Sequence, residues 1–241
     1  MKKYAIILAA GKGTRMKSDL PKCACLLHSK PMVKHIVDSC NGAEIEDKIV
    51  VVGFEKEVII DILKDEVTYA YQENQLGTGD AVRCTESLLK GKKGICIIFP
   101  GDMPLVTSDI IENVMNDHIK NKNAMTIVTT LVDDPTGYGR IYRENGTIKK
   151  IVECSDADPE QKKIKEVNSG LYCVDTELLF EALSKVGNDN AKHEYYLTDI
   201  VEILSKEHKI GSYIVRDSYK LMGINDIQHL KIAETFVMDQ K

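Results

Sequence analysis

No stretch of this sequence approaches the roughly 20 consecutive apolar residues that a membrane-spanning helix needs. The opening MKKYAIILAAGKG has a basic start, but its apolar run of about seven residues is short for the core of a secretory signal. There is no excess of positive charge: 32 Lys and Arg face 37 Asp and Glu, a net charge of −5. That excludes the basic field of a nucleic-acid binder. An anionic ligand must then be held by a few local charges and backbone dipoles. Low-complexity linkers and internal repeats are missing. So are the G-x-x-x-x-G-K-[ST] phosphate loop and the G-x-G-x-x-G dinucleotide fingerprint. The seven cysteines, at 23, 25, 40, 84, 96, 154 and 173, are odd in number. Cys23 and Cys25 form C-x-C, which is not a zinc spacing. All seven read as reduced packing thiols of a cytoplasmic protein. The histidines, at 28, 35, 118, 193, 208 and 229, have no evident Ser or Cys partner. No covalent nucleophile stands out.

What is present is alternation. Continuous apolar runs (KKYAIILAA, DKIVVVG, EVTYAYQ, GICIIFP) are separated by helical patterns. PMVKHIVDSC, with Pro31 in its first turn, EKEVIIDILK, GDAVRCTESLLK and TSDIIENVMNDHIKN, capped by Thr107 or Ser108, are the helices. This order predicts βαβ units and a largely parallel sheet. After about residue 123 the pattern gains hairpin character. RIYRENGTIKKIVE carries the Asn145-Gly146 turn signal between two strand-like runs. A strand (KIKEVNSGLYCV), two helices (DTELLFEALSKV, YYLTDIVEILSKE), a strand (KIGSYIVRD) and a tail helix (DIQHLKIAETFVMDQ) follow.

Ligands of open α/β sheets sit beyond the carboxyl ends of the strands, and three loops fall there. LAAGKGTRM leaves the first strand through Gly11 and Gly13, so backbone N–H groups, Lys12 and Arg15 face one spot: either a phosphate cradle or a tight turn with a solvated lysine. QLGTGDAV, from Gln75, lets a flat ring approach at Gly77, and Gln72 just before it offers an amide to a base edge. Thr78 is equally a helix cap. FPGDMPL puts Gly101 and Asp102 directly after a buried strand, where a carboxylate beside a phosphate suits Mg²⁺, or begins an Asx-turn. Asn225 supplies a second metal oxygen, or caps the tail helix. Tyr138, Gly139, Glu153 and Asn168 form a separate polar set suited to the hydroxyls and amide of a sugar.

The segments LAAGKGTRMKSDLPK, QLGTG, GDMPL, DDPTGYGRI, RENG, IVE, EVNSG, EYYLTDI and GIN together resemble the N-acetylglucosamine-1-phosphate uridyltransferase domain of a bifunctional bacterial enzyme. That family belongs to the sugar nucleotidyltransferase superfamily. The resemblance implies a Rossmann-like nucleotide-diphospho-sugar transferase fold, with a mixed, mostly parallel sheet and a hairpin-containing sugar-binding half. It implies transfer of uridylyl from UTP to N-acetylglucosamine 1-phosphate, with Mg²⁺ held by Asp102 and Asn225. Leu8, Ala9, Ala10, Gly11, Gly13, Gln75 and Gly101 would line the nucleotide, with Gln72, Gly77 and Thr78 reading the uracil. Lys12 and Arg15 would bind the triphosphate, and Lys22 the phosphate of the nucleotide-sugar. Gly139, Glu153, Asn168 and Asn225 would hold the sugar. The expected organisation is a transferase domain over 1–225 and a C-terminal helix over 226–241; the family's β-helix acetyltransferase domain is expected to be absent from this chain, a departure from the family. Nothing sets an oligomeric state. Three positions depart from the family: Pro100 before the glycine, Ser169 for threonine, and Asp80 where histidine is usual, which places a negative charge near the base site.

Overall fold

Four strands are apolar along almost their whole length, which requires cover on both faces of their sheet. In the computed structural model, which describes residues 1–16, 18 and 20–238, helices supply that cover. The chain runs β1 (Lys3–Leu8), β2 (Leu26–Leu27), β3 (Lys30–Pro31), α1 (Met32–Gly42), β4 (Asp47–Val52), α2 (Lys56–Leu63), β5 (Thr68–Tyr71), α3 (Thr78–Arg83), α4 (Glu86–Leu89) and β6 (Ile95–Pro100). It continues through α5 (Ser108–Asn121), β7 (Met125–Leu131), β8 (Arg140–Glu144), β9 (Thr147–Val152), β10 (Glu166–Asp175), α6 (Thr176–Leu183), α7 (Asp199–Ser205), β11 (Ile210–Ile214) and α8 (Ile227–Met238).

The main sheet has the order β11-β7-β10-β6-β1-β4-β5, with the β8–β9 hairpin attached to β10. β1 pairs in parallel with β4 and β6, β4 with β5, and β7 with β11. β10 runs against its neighbours β6 and β7, and the hairpin strands also pair antiparallel. Sequence alternation splits the core in two. Ala5 and Ile7 of β1 face a layer from α1, α2 and α5, including Ile36, Leu63 and Val114. Tyr4 and Ile6 face one from α3, α4, α6 and α7, including Val82, Leu89, Leu183 and Leu204. Truncating a fully buried member such as Ile7 to Ala would cost about 2–5 kcal/mol. A third cluster packs Leu230 and Ala233 of α8 on Leu27 and Met32.

The hairpin is held by its turn and one ion pair. Asn145 and Gly146 take φ of 50° and 79°, the left-handed pair a two-residue turn needs. The Arg143 guanidinium donates to both carboxylate oxygens of Glu166 in β10, at 2.8 and 2.9 Å, a bidentate contact that fixes direction as well as distance.

Several local expectations need correction. The helix expected over 79–90 is broken into α3 and α4, where Thr85 turns its hydroxyl back onto the Val82 carbonyl at 2.7 Å and competes with the helical ladder. Pro31 precedes α1 as its cap rather than joining its first turn. Thr107 stands at the cap of α5 without a side-chain bond to it. The helix expected from Tyr195 starts only at Asp199. The short β2–β3 ribbon was not foreseen. The end of the expected C-terminal helix, 239–241, and two positions of the opening loop segment, 17 and 19, lie outside the described residues.

Candidate active site

β1 is the strand at which the order reverses: the chain goes from it to β4 and β5 on one side, then returns to β6 on the other. A crevice opens at such a switch point, beyond the strand ends. The loops after β1 and β6 meet there, tied by the Gly101 N–H donating to the Leu8 carbonyl at 2.8 Å. Because β10 runs the other way, its first residues, not its last, reach the same end of the sheet. Both halves thus contribute to one cavity of about 430 Å³.

On the β1–β5 side the cavity is lined by Leu8, Ala10, Gly11, Gln72, Gln75, Gly77, Thr78 and Gly101. On the β10 side it is lined by Glu153 and Asn168, with Lys22 and Asp102 between. These twelve candidates are brought together. The other six are not on the wall; Asn225 is one of them and joins the central cluster through its bond from Lys22. Ala9 is buried in the core behind it. Lys12 lies over the Phe54 ring, 5.3 Å from its centroid, and not toward the cavity. Gly13, at φ 62°, packs so closely that a Cβ would stand 2.3 Å from that of Lys22. Arg15 is exposed and reaches the cluster through Asn225. Gly139 contributes its carbonyl, which accepts the Asn168 N–H at 2.9 Å.

Gln72 is buried; its Nε2 donates to the Gly77 carbonyl at 3.1 Å and to Asp80 Oδ2 at 2.8 Å. Asp80 does not itself line the cavity; its charge lies near the expected base site, bonded to Gln72. Thr78 is not a cap either. Gly77 occupies that position, and Thr78 Oγ1 accepts the Leu197 N–H at 3.1 Å. Gly77 has φ 121°, and a Cβ there would lie 2.6 Å from the Tyr195 carbonyl. The segment at 194–198 is thus zipped onto the second glycine loop, with Tyr195 N–H on the Leu76 carbonyl and Gly79 N–H on that of Tyr195.

Between the two sides sits a charged cluster. The Lys22 ammonium donates to Asp102 Oδ2 and, at 3.0 Å, to Asn225 Oδ1, which also accepts from Arg15 at 3.0 Å. The Asp102 carbonyl accepts the Ile224 N–H at 2.8 Å, holding the two loops in register. Asp226, not Asn225, caps α8, accepting the His229 N–H at 2.9 Å. Asn225 is thereby left for the cluster. Among the described residues no three His, Cys, Asp or Glu side chains converge as a metal cage. Mg²⁺ needs none: one or two protein oxygens suffice when phosphate and water supply the rest. A carboxylate and an amide oxygen converging on one ammonium are a donor set that already holds a cation, and it fits that ion. Burial, with the Asp102 charge nearby, pushes the adjacent Cys23 thiol up to about 12.

On the remaining wall, Thr198 Oγ1 donates to Glu153 Oε1 at 3.0 Å. Asn168 Nδ2 donates to the Tyr172 hydroxyl at 2.7 Å, and Asn168 Oδ1 accepts the Gly170 N–H at 3.0 Å. A register shift in β10 between Asn168 and Tyr172 turns this stretch inward. Burial raises the Tyr172 phenol above its ordinary value, so the hydroxyl stays a donor. Glu194, Thr198, Gly170, Tyr172 and Pro100 also line the cavity. Glu194 and Thr198 lie in EYYLTDI, which the sequence resemblance included without giving either residue a role. Tyr172 had no local signal, because it is one apolar-looking position in a buried strand.

Residues 4–224 match the Nucleotidyl transferase family, and the chain belongs to that family. It is similar to the bifunctional protein GlmU of Clostridium botulinum strain Eklund 17B, 46% identical over 242 residues, covering 100% of this chain and 53% of that protein. It is also similar to that of Acholeplasma laidlawii, 45% identical over 240 residues, covering 99% of this chain and 52% of the relative. The chain thus spans about half the length of the curated relatives it matches. Among solved structures, a Bacillus anthracis chain assigned as a glucose-1-phosphate thymidylyltransferase superposes with a TM-score of 0.78 at 20% identity, covering 98% of this chain and 96% of that one. That likeness establishes the Rossmann-like nucleotidyltransferase fold. Among the described residues no helix is long and apolar enough to cross a membrane.

Proposed function

We propose that this chain transfers the uridylyl group of UTP to N-acetyl-α-D-glucosamine 1-phosphate, giving UDP-N-acetylglucosamine and pyrophosphate. The observation that carries this reading is the single cavity joining the glycine-loop wall, the Lys22–Asp102–Asn225 cluster and the Glu153–Asn168 wall. The two GlmU relatives support the choice of substrates. A ligand running along it meets a base site, a charged middle and a hydroxyl-binding end in that order.

The phosphate oxygen of the sugar phosphate attacks the α-phosphorus of UTP, and pyrophosphate leaves in line. No side chain has to act as base, because the sugar phosphate is already ionised at neutral pH. Asp102 and Asn225 would hold Mg²⁺, which neutralises phosphate charge when bound. Lys22 sits where it can pass from Asp102 to a phosphate oxygen. Arg15, exposed and hinged on Asn225, reaches charge that grows on the leaving pyrophosphate. Lys12 leaves Phe54 to bind the same group. Backbone N–H groups of the first loop complete the cradle. One such preorganised contact is worth about 3 kcal/mol of barrier. Glu153 accepts from sugar hydroxyls while Thr198 holds it in place, and Asn168 faces the acetamido group.

The test is release of pyrophosphate from a panel of UTP, dTTP, CTP and ATP against N-acetylglucosamine 1-phosphate and glucose 1-phosphate, with and without Mg²⁺. The expected result is that the UTP and N-acetylglucosamine 1-phosphate pair turns over fastest, and only when Mg²⁺ is present. Tight UDP-sugar binding with no turnover of any pair would replace catalysis by sensing.

A further inference from the structure

Gln72 uses one end of its side chain for two bonds. Its Nε2 donates to the Gly77 carbonyl and to the Asp80 carboxylate. A carbonyl and a carboxylate only accept, so the amide nitrogen must face them. The amide oxygen is then turned away, on a residue that lines the cavity. Among the described residues no hydrogen bond reaches Gln72 Oε1. The backbone of Gln72 is fixed as well, its N–H bonded to the Val52 carbonyl at 2.8 Å. The side chain is 4% exposed and cannot swing clear.

We propose that Asp80 is a specificity-determining positioning residue: by holding Gln72 Nε2 it presents Gln72 Oε1 to the base as a fixed acceptor. Such an acceptor takes a pyrimidine that carries N3–H, uracil or thymine. Cytosine has a bare N3, so two acceptors would face each other, and a site built to receive an N–H rejects the analogue lacking it. With a neutral side chain at position 80 that has both donor and acceptor atoms, only the Gly77 carbonyl would hold this orientation, since that side chain could bond Gln72 at either end. The Asp80 charge adds a second effect. A charge-assisted bond at Nε2 polarises the amide and strengthens Oε1 as an acceptor. The inference rests on the reading of the cavity as a nucleotide site.

The experiment measures kcat/KM for UTP, dTTP and CTP at saturating sugar phosphate, in the wild type and in Asp80→Asn. The near-isosteric amide keeps the volume and removes the stronger of the two holds, leaving the Gly77 carbonyl alone. The wild type is expected to favour UTP and dTTP over CTP. In Asp80→Asn the UTP-to-CTP ratio falls by about tenfold, the worth of one hydrogen bond to a charged group. The loss lies in KM for UTP rather than in kcat, which a general loosening of the fold would not produce. Asp80→Ser, which removes the carboxylate with less bulk, replaces it if Asp80→Asn melts early. A wild type that does not use UTP overturns the nucleotide reading itself. A wild type that does, with an unchanged ratio in the folded variant, overturns the role of Asp80 alone.

Discussion

The Lys22 ammonium is bonded to the Asp102 carboxylate and leans on the Asn225 amide oxygen, so it occupies the point on which both proposed metal ligands converge. Lysine and divalent cation therefore compete for the same oxygens. Lys22→Met is expected to bind Mn²⁺, followed by paramagnetic resonance or calorimetry, about tenfold more tightly, a gain of roughly 1.4 kcal/mol. Turnover should fall in the same variant, because its phosphate contact is gone. Metal binding no tighter than in the wild type would mean that Asp102 and Asn225 are not the ligands.

Arg15 carries a prediction that separates chemistry from stability. Its side chain is exposed and its recorded contact is the 3.0 Å bond to Asn225. Arg15→Ala is expected to lower turnover by at least about a hundredfold while the melting temperature stays put. Near-normal pyrophosphate release from that variant would refute the proposed phosphate role.

Asp199 makes stability depend on pH. Burial, then the charges of Glu153, Glu202 and Asp156, raise it from 3.8 to about 6. The start of α7 favours the anion by about 0.3–1 kcal/mol, which the burial and the three carboxylates outweigh. The folded state thus prefers the proton. The stabilisation is fully present below 3.8 and is lost as pH rises through about 6. Asp199→Asn has no such proton to lose. Calorimetric scans are expected to show it melting above the wild type near pH 8 and together with it near pH 4. The opposite order would reverse the assignment.

The cysteines differ in reach. Burial pushes Cys23 and Cys40 up to about 12 and raises Cys25, Cys84, Cys96 and Cys173 as well. Cys154 alone among the described thiols is lowered, by the Gly137 backbone and then the Arg140 side chain, and it is half-exposed. Thiolate fraction and access set the rate of alkylation. Brief treatment of the native protein with iodoacetamide, followed by peptide mass spectrometry, is expected to label Cys154 first. First labelling of Cys84, the other half-exposed thiol, would count against the Arg140 contact.

Periodicity made β1, β4, β6 and their helices readable, since a strand covered on both faces leaves an unbroken apolar run. The Asn145-Gly146 turn was equally plain, because that dipeptide has few other uses between strands. Twelve of the eighteen site candidates lie on the cavity wall, for a common reason: loops at the carboxyl ends of parallel strands must meet at a switch point. What escaped was set by distant partners. Lys12 lies over Phe54, which sits far along the chain beyond β4. Asp80 was legible only as a negative charge near the base site, and its bond to Gln72 was not. The inward turn at Asn168 depends on a register shift against β7, which no single strand encodes.

The antiparallel strand β10 also limits how the molecule can be divided. Cutting the chain between β6 and β7 to obtain a minimal nucleotide-binding fragment would strip β10 from β6 and bare the backbone of Ile95–Ile98, which it pairs. An uncovered apolar strand edge recruits other chains. Such a fragment would aggregate rather than bind, and shortened versions of this protein are better made by trimming the hairpin, whose loss leaves every strand of the central ladder paired.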